Sequence, residues 1–269
     1  MKKVFMTLAA VLTSALAMSQ FYVYKGGHLL YEIEDGLADS VTFVKPEHLG
    51  FENGYEWVDL GLTSGTRWAA MNVGANKAED YGNYYAWGET TTKETYSWAT
   101  YLDGNIKHKE EDCGTDKDLL NGVTDIAGTQ YDAAKANWGG KWRMATYDQQ
   151  TELRSECYWV WTESYNGSNV SGYIVYKAKS ESDKGVKVYA SGTPSSSYSL
   201  SDAHIFLPQA GRYNENGYIN DGGYYISSTL KSDQVYYAWR ISINSGHASG
   251  NTGGNRNYGW TVRAVIPGE

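Results

Sequence analysis

Between Trp239 and Asn244 the chain alternates. Trp239, Ile241 and Ile243 are large and apolar, while Arg240, Ser242 and Asn244 between them are polar. Successive strand side chains point to opposite faces, so this run predicts a half-buried strand with the apolar set inward. The stretch 222–265 joins several such runs to a Gly/Asn/Ser segment, 245–257, that is almost free of apolar residues. That composition predicts a long loop held by the flanking strands. Function is expected on this loop and on the polar strand face beside it.

The same patterning organises the rest of the chain. FYVY and HLLYEI flank Lys25-Gly26-Gly27, and Gly-Gly between apolar runs predicts a tight hairpin. SVTFV (40–44) predicts a third strand, and Lys45-Pro46 ends the pairing because proline lacks the ladder N–H. This β leader, 20–46, is too small for its own core and must dock on the main domain or on a partner. Segment 55–75 reads as two strands around the turn Thr63-Ser64-Gly65, with Trp57, Leu60, Trp68 and Met71 as core residues. A charge run at 107–118 reads as a solvated loop. Two helices follow. One spans 131–137 and stops at Gly139-Gly140; the other begins at Thr146, which forms a capping box with Gln149. After Trp161 short strands return at 172–178, at VKVYA and at HIFLPQAG, around a polar loop at 191–201. Strands, two helices and then many strands imply an α+β fold with a mainly antiparallel sheet.

Composition narrows the function class. Lys2 and Lys3 precede an apolar run at 4–17 that is too short for a membrane helix, which reads as a signal peptide over 1–19. Ala15-Leu16-Ala17 and Ala17-Met18-Ser19 are rival cleavage sites. The protein is therefore expected to be exported: at the cell surface, in the periplasm or secreted. The net charge of −8 disfavours nucleic acid, and no later segment approaches the roughly 18 apolar residues of a bilayer span. There are 24 Tyr and 10 Trp against 5 Phe, so many Tyr are expected at the surface, where they serve binding well. Cys113 and Cys157 allow one disulfide, closing a loop worth about 3–4 kcal/mol by chain entropy. Two unpaired buried thiols are the ordinary alternative.

Signals for catalysis are thin. The five His are scattered without a zinc-binding pair. Neither a Gly-x-Ser-x-Gly elbow nor a phosphate loop is present, and Asp112, Asp116 and Asp118 lack the glycine and distal glutamate of a calcium loop. Glu152 and Glu156 share a helix face and read as solvated charges rather than a catalytic pair. The expectation is no enzyme, no cofactor and no metal site. His247 is a candidate ligand contact. Arg256 either offers its planar fork to a carboxylate or braces the loop, and Arg263 reads as half of a structural ion pair.

Five strings occur in order: EWVDLGLTSGTRWAAMNVGA, DYGNYYAWGE, ANWGGKWRMAT, HIFLPQAG, and YYISSTL with YYAWRISINSG and NRNYGWTVRAV. Over 55–266 the chain thereby resembles the exported Bacteroidetes and Fibrobacter "major paralogous domain" proteins. The resemblance implies a C-type-lectin-like fold of the formylglycine-generating-enzyme subtype, carrying a ligand site on a stable scaffold. Some such proteins are the variable proteins of diversity-generating retroelements. On that pattern Trp239, Ile241, Ile243, Gly259, Trp260, Val262 and Arg263 would be framework. Arg240, Ser242, Asn244, His247, Ser249, Asn251, Asn255, Asn257 and Tyr258 would be the ligand-binding surface, whether diversified or static. Thr63 and Ala145 stand where the pattern commonly has proline. The catalytic cysteines of the enzymatic relatives and the calcium strings of sugar-binding lectins are absent. Two functions are expected: an adhesin-like receptor for a protein or glycan, or a structural or tip component of a surface assembly such as a pilus, attached through 21–44.

Overall fold

The computed structural model describes residues 21–25, 28–33, 46–104 and 119–268. Of 21–33, Asp103, Gly104, Leu119, Asn121 and Asn251 it describes the backbone alone. The signal peptide, the third leader strand at 40–44, the charge run and Cys113 lie outside the described residues. The chain divides into two units, 1–43 and 44–269.

The first unit contains the predicted hairpin. Strands β1 (Phe21–Lys25) and β2 (His28–Ile33) pair antiparallel, with Lys25 opposite His28 and an irregularity at Val23/Tyr24.

The second unit is a β-rich α+β structure. Its elements are β3 (Leu49–Glu52), β4 (Tyr55–Asp59), β5 (Arg67–Ala69), β6 (Tyr84–Tyr85), α1 (Ala133–Trp138), β7 (Arg143–Met144), α2 (Tyr147–Glu156), β8 (Cys157–Thr162) and β9 (Gly172–Lys177). They continue with β10 (Lys187–Val188), β11 (His204–Pro208), β12 (Arg212–Asn214), β13 (Gly217–Ile219), β14 (Gly223–Leu230), β15 (Tyr237–Asn244), β16 (His247–Asn255), β17 (Trp260–Thr261) and β18 (Ala264–Ile266). The sheets run β3-β4-β5-β18-β7, β16-β15-β14-β17-β6, β10-β8-β9-β11 and β12-β13. Among the described strands only β8/β10 and β14/β17 pair parallel, so the sheets are mainly antiparallel as expected. Among the described residues no helix is long and apolar enough to cross a membrane.

Local signals gave both helices. Thr146 Oγ1 accepts from Gln149 N at 3.2 Å, and Gln149 Oε1 accepts from Thr146 N at 3.0 Å, completing the capping box. Helix α1 is capped by Asp132, whose buried carboxylate accepts from the amides of Gly128, Ala134, Lys135 and Met144. Burial raises the Asp132 pKa, and these four amide donors oppose the rise.

Four expectations are corrected. Segment 245–257 is no loop: His247–Asn255 is a nine-residue strand. Its glycines allow close packing, as Gly in strands often does. A Cβ on Gly254 would lie 2.7 Å from the Trp260 ring, on Gly253 2.8 Å from Tyr237, and on Gly250 2.4 Å from the Arg154 guanidinium. Second, among the described tyrosines only Tyr189 and Tyr218 are exposed. Buried phenols find backbone carbonyls as acceptors: Tyr96 donates to Tyr84 O, Tyr101 to Trp87 O and Tyr225 to Pro208 O. Third, Arg263 makes no ion pair among the described residues. Its fully buried guanidinium donates to Asn72 Oδ1, Ala69 O and Phe206 O at 2.9, 3.0 and 2.6 Å, joining β5 to β11. Burial lowers its pKa to about 10. Fourth, Glu152 and Glu156 are bound rather than solvated: they accept from the amides and hydroxyls of Ser64 and Thr63, fastening that turn to α2.

Of the expected core residues, Trp68 and Leu60 are buried, while Trp57 and Met71 are half-buried. Cys157 is buried with no disulfide among the described residues, and burial pushes its thiol pKa up.

Candidate ligand-binding face

Strands β15 and β16 are joined by a two-residue turn, Ser245-Gly246, closed where Asn244 pairs with His247. Asn244 Oδ1 accepts from Gly246 N at 2.8 Å, the local side-chain bond that makes Asn a turn residue. Arg240 pairs with Thr252 and Ser242 with Ser249, so β16 carries one extra residue between those pairs. Directly paired residues share a face. The register therefore puts Arg240, Ser242, Asn244, His247, Ser249 and Thr252 on one side of the hairpin.

The opposite side is fixed by packing. Ile241, Ile243 and Ala248 are buried with Tyr225, Leu153 and Trp159. Trp239 is half-buried, its ring 4.5 Å from that of Tyr147 on α2. The alternation in the sequence thus describes the two faces correctly. The polar face is itself core at one end, where Tyr224, Ile226 and Ala238 pack with Trp260.

The nine candidate residues do not form one surface. Ser242, Asn244, His247 and Ser249 gather near the hairpin turn, where Ser242 Oγ lies 3.3 Å from His247 Nε2. Ser242 is nonetheless only 7% exposed, because its neighbours on both strands cover it. Arg240 lies farther along, its guanidinium 4.4 Å from the Tyr224 ring and 5.0 Å from the Trp260 ring. Burial lowers its pKa to about 10, with Arg212 adding to the fall while Tyr224 and Asp221 oppose it. Tyr258 is half-buried, 5.6 Å from Trp260.

Asn255 and Asn257 are corrected. Asn257 is 2% exposed, and Asn255 is half-buried and paired with Tyr237, which puts it on the side of the hairpin opposite Arg240. Asn255 O accepts from Trp260 Nε1 at 2.8 Å. Asn251 falls in β16 at the register shift between the Arg240–Thr252 and Ser242–Ser249 pairs, and its side chain lies outside the described residues. Arg256 is buried, its guanidinium 5.7 and 5.8 Å from the Trp87 and Tyr101 rings.

Sequence reading missed Arg212 and Asp221. Arg212 Nη2 donates to Asp221 Oδ2 at 2.8 Å, and its guanidinium lies 5.3 Å from the Tyr224 ring. These residues reach Arg240 only through folding, and no local spacing announces them. Elsewhere a cleft of about 460 Å³ is lined by Glu89, Thr90, Thr91, Thr92, Lys93 and Tyr131, among others. Its charges are internally paired, Lys93 with Glu89 at 2.7 Å. Among the described residues no three His, Cys, Asp or Glu are grouped to hold a metal.

No family model, no curated protein and no solved structure matches the chain.

Proposed function

We propose that the chain is an exported ligand-binding protein whose C-terminal half displays its binding surface on the polar face of the β15–β16 hairpin. The observation that carries this reading is the division of labour across the hairpin. Arg240, Ser242, Asn244, His247 and Ser249 share one face, while Ile241, Ile243 and Ala248 anchor the other in the core. A face arranged so can change its side chains while its back holds the fold. The scaffold reading is C-type-lectin-like, from the five ordered strings, and the surface suits a variable protein of a diversity-generating retroelement as well as a static receptor. The ligand is a protein or a glycan.

Binding is favoured over catalysis at this face. The Ser242–His247 contact is long for an activated nucleophile, and among the described residues no carboxylate contacts the other ring nitrogen to orient the base. The test is a screen of the full chain on glycan and protein arrays, repeated with Asn244→Ala, His247→Ala and Ser249→Ala. Loss of the captured ligand with an unchanged Tm supports the face; full retention in all three variants removes it.

A second reading concerns the leader. Strands β1 and β2 form a two-stranded sheet whose outer edges have no partner among the described residues. Open edges accept partner strands, which suits attachment to a surface assembly such as a pilus. Deleting 21–44 would abolish assembly and leave ligand binding intact on this reading.

A further inference from the structure

Two exposed segments meet at the tip of the β15–β16 hairpin. The amide of Ala190, just beyond β10, donates to Ser245 O in the hairpin turn at 2.9 Å. That bond sets the chain after β10 beside the turn that Asn244 and His247 close. Every residue from Tyr189 to Ser197 is exposed. Val186 and Tyr189 are 37% and 39% exposed, and among the described residues the only other large apolar side chains so exposed are Phe51 and Tyr218.

This loop is exposed yet held. Ser195 N donates to the Tyr158 hydroxyl at 3.0 Å, and Gly192 N to Tyr189 O at 2.8 Å. Lys179 Nζ donates to Ser197 O, and the Tyr198 ring stacks on that of Tyr158 at 4.3 Å. A loop fixed in this way gives up little conformational entropy when a partner settles on it. Charge is also missing from both segments. No Asp, Glu, Lys or Arg occurs from Val188 to Ser201 or from Ile241 to Asn255, in a chain that is 20% charged. Solvated surfaces normally carry interspersed charges, so an exposed run without them is unusual. Depletion of charge marks the centre of protein interfaces, and Tyr among Ser, Gly and Asn is the composition of a paratope.

We propose that the segment 186–197 and the tip of the β15–β16 hairpin form one interface for a protein partner, with Tyr189 and Val186 as its apolar anchors. The proposal rests on the ligand-binding reading above and chooses between its two ligand classes. Small-ligand sites are concave, and an unbroken exposed run such as 189–197 is the opposite of a cleft lining. Val186 adds aliphatic area, which suits an apolar side chain of a partner better than the hydroxyls of a sugar.

The test applies the full chain to a protein array and a glycan array, then titrates each captured protein, purified, by surface plasmon resonance. A protein should be captured. Tyr189→Ala should weaken it at least tenfold and Val186→Ser at least threefold, with Tm unchanged because both side chains are exposed. Thr193→Arg, which places a charge in the uncharged loop, should also weaken it at least tenfold, and it stands in if Tyr189→Ala does not fold. Hydrogen exchange with the protein bound should slow at both 189–197 and 244–249. Capture of glycans alone, capture of nothing, or a captured protein indifferent to Tyr189→Ala and Thr193→Arg would overturn the interface. Dimerisation of the chain that Tyr189→Ala abolishes would give the surface to a second copy and overturn the ligand role. If the ligand depends on His247 and Ser249 but not on Tyr189 or Thr193, the extension fails and the face stands. If it depends on Tyr189 and Thr193 but on no residue of the hairpin, the joint interface and the face both fail.

Discussion

Arg263 and Arg240 are both desolvated guanidiniums in one protein, each with its pKa lowered to about 10 by burial. Their surroundings differ. Arg263 meets an amide oxygen and two backbone carbonyls, and through them it ties the end of β5 to β11. Arg240 meets two aromatic faces and one carbonyl, and one of its terminal nitrogens meets nothing. The same chemical group is held by three oxygens in one place and packed between two rings in the other. Buried guanidinium nitrogens without an acceptor also occur at Arg143, Arg154 and Arg212, so neither burial nor a missing acceptor alone separates structure from function.

The sharpest way to break this comparison is to remove both side chains in turn. Arg263→Met strands three buried acceptors, and breaking such a network costs about 3–5 kcal/mol. Arg240→Met removes an unpaired donor and leaves a side chain that packs between Tyr224 and Trp260. It should cost about 1 kcal/mol or less, since removing a poorly satisfied buried charge is often neutral. Urea unfolding of the two variants measures the gap. Equal losses would make Arg240 a rivet too.

Asp132 extends the comparison to a carboxylate that is fully served. Four amides hold it, so Asp132→Asn, which turns an acceptor into a donor facing those amides, should cost about 3 kcal/mol. The cost should depend on pH. Burial raises the folded pKa above the unfolded value, so the folded state holds the proton more tightly. That contribution is present in full below an unfolded pKa of about 3.9 and is lost as pH rises through the folded value. The stability gap between wild type and Asp132→Asn should therefore narrow as pH increases from about 4. A gap that widens instead would mean that the amide donors outweigh burial.

Much of this architecture was legible because its causes are local. The Thr146/Gln149 capping box, the pairing of β1 with β2 and the alternation of Ile241 and Ile243 with Arg240 and Ser242 each lie within a few residues. Strand β16 was not legible, because Gly, Ser and Asn carry the composition of a loop. What makes it a strand is distant: the ring of Trp260, the Tyr237 side chain across the pair and Arg154 on α2, each pressed where a Cβ would stand. The acceptors of Arg263 and the pairing of Arg212 beside Arg240 were hidden for the same reason. Of the candidate surface, the alternation found the residues nearest the turn and overreached at Asn255, on the other side of the hairpin, and at the buried Asn257.

Two alanine substitutions sharpen that account of β16. A Cβ on Gly254 would come within 2.7 Å of Trp260 and 2.8 Å of Arg240, so Gly254→Ala should cost about 1–3 kcal/mol through overpacking. A Cβ on Gly246, in the turn, would find its nearest neighbour at 3.6 Å. Gly246→Ala should be neutral or stabilising by about 0.4–1 kcal/mol, because it narrows the unfolded ensemble. If both were neutral, the segment would be behaving as the loop its composition suggests.

The smallest expected effect tests the display argument most directly. Ser249 lies on the polar face opposite Ser242, half-buried, one residue from the buried Ala248 on the back. If the face is separable from the fold, Ser249→Ala should change stability by no more than about 0.5 kcal/mol, the ordinary range for a surface position. The contrasting change one strand away, Ile241→Ala, opens a cavity in the packed back and should cost about 2–5 kcal/mol. Thermal and urea unfolding of both variants gives the ratio. A loss at Ser249 approaching that at Ile241 would mean that the polar face also holds the hairpin together. A surface of that kind has little freedom to vary its side chains, and the retroelement reading would lose its physical basis even if ligand binding survived.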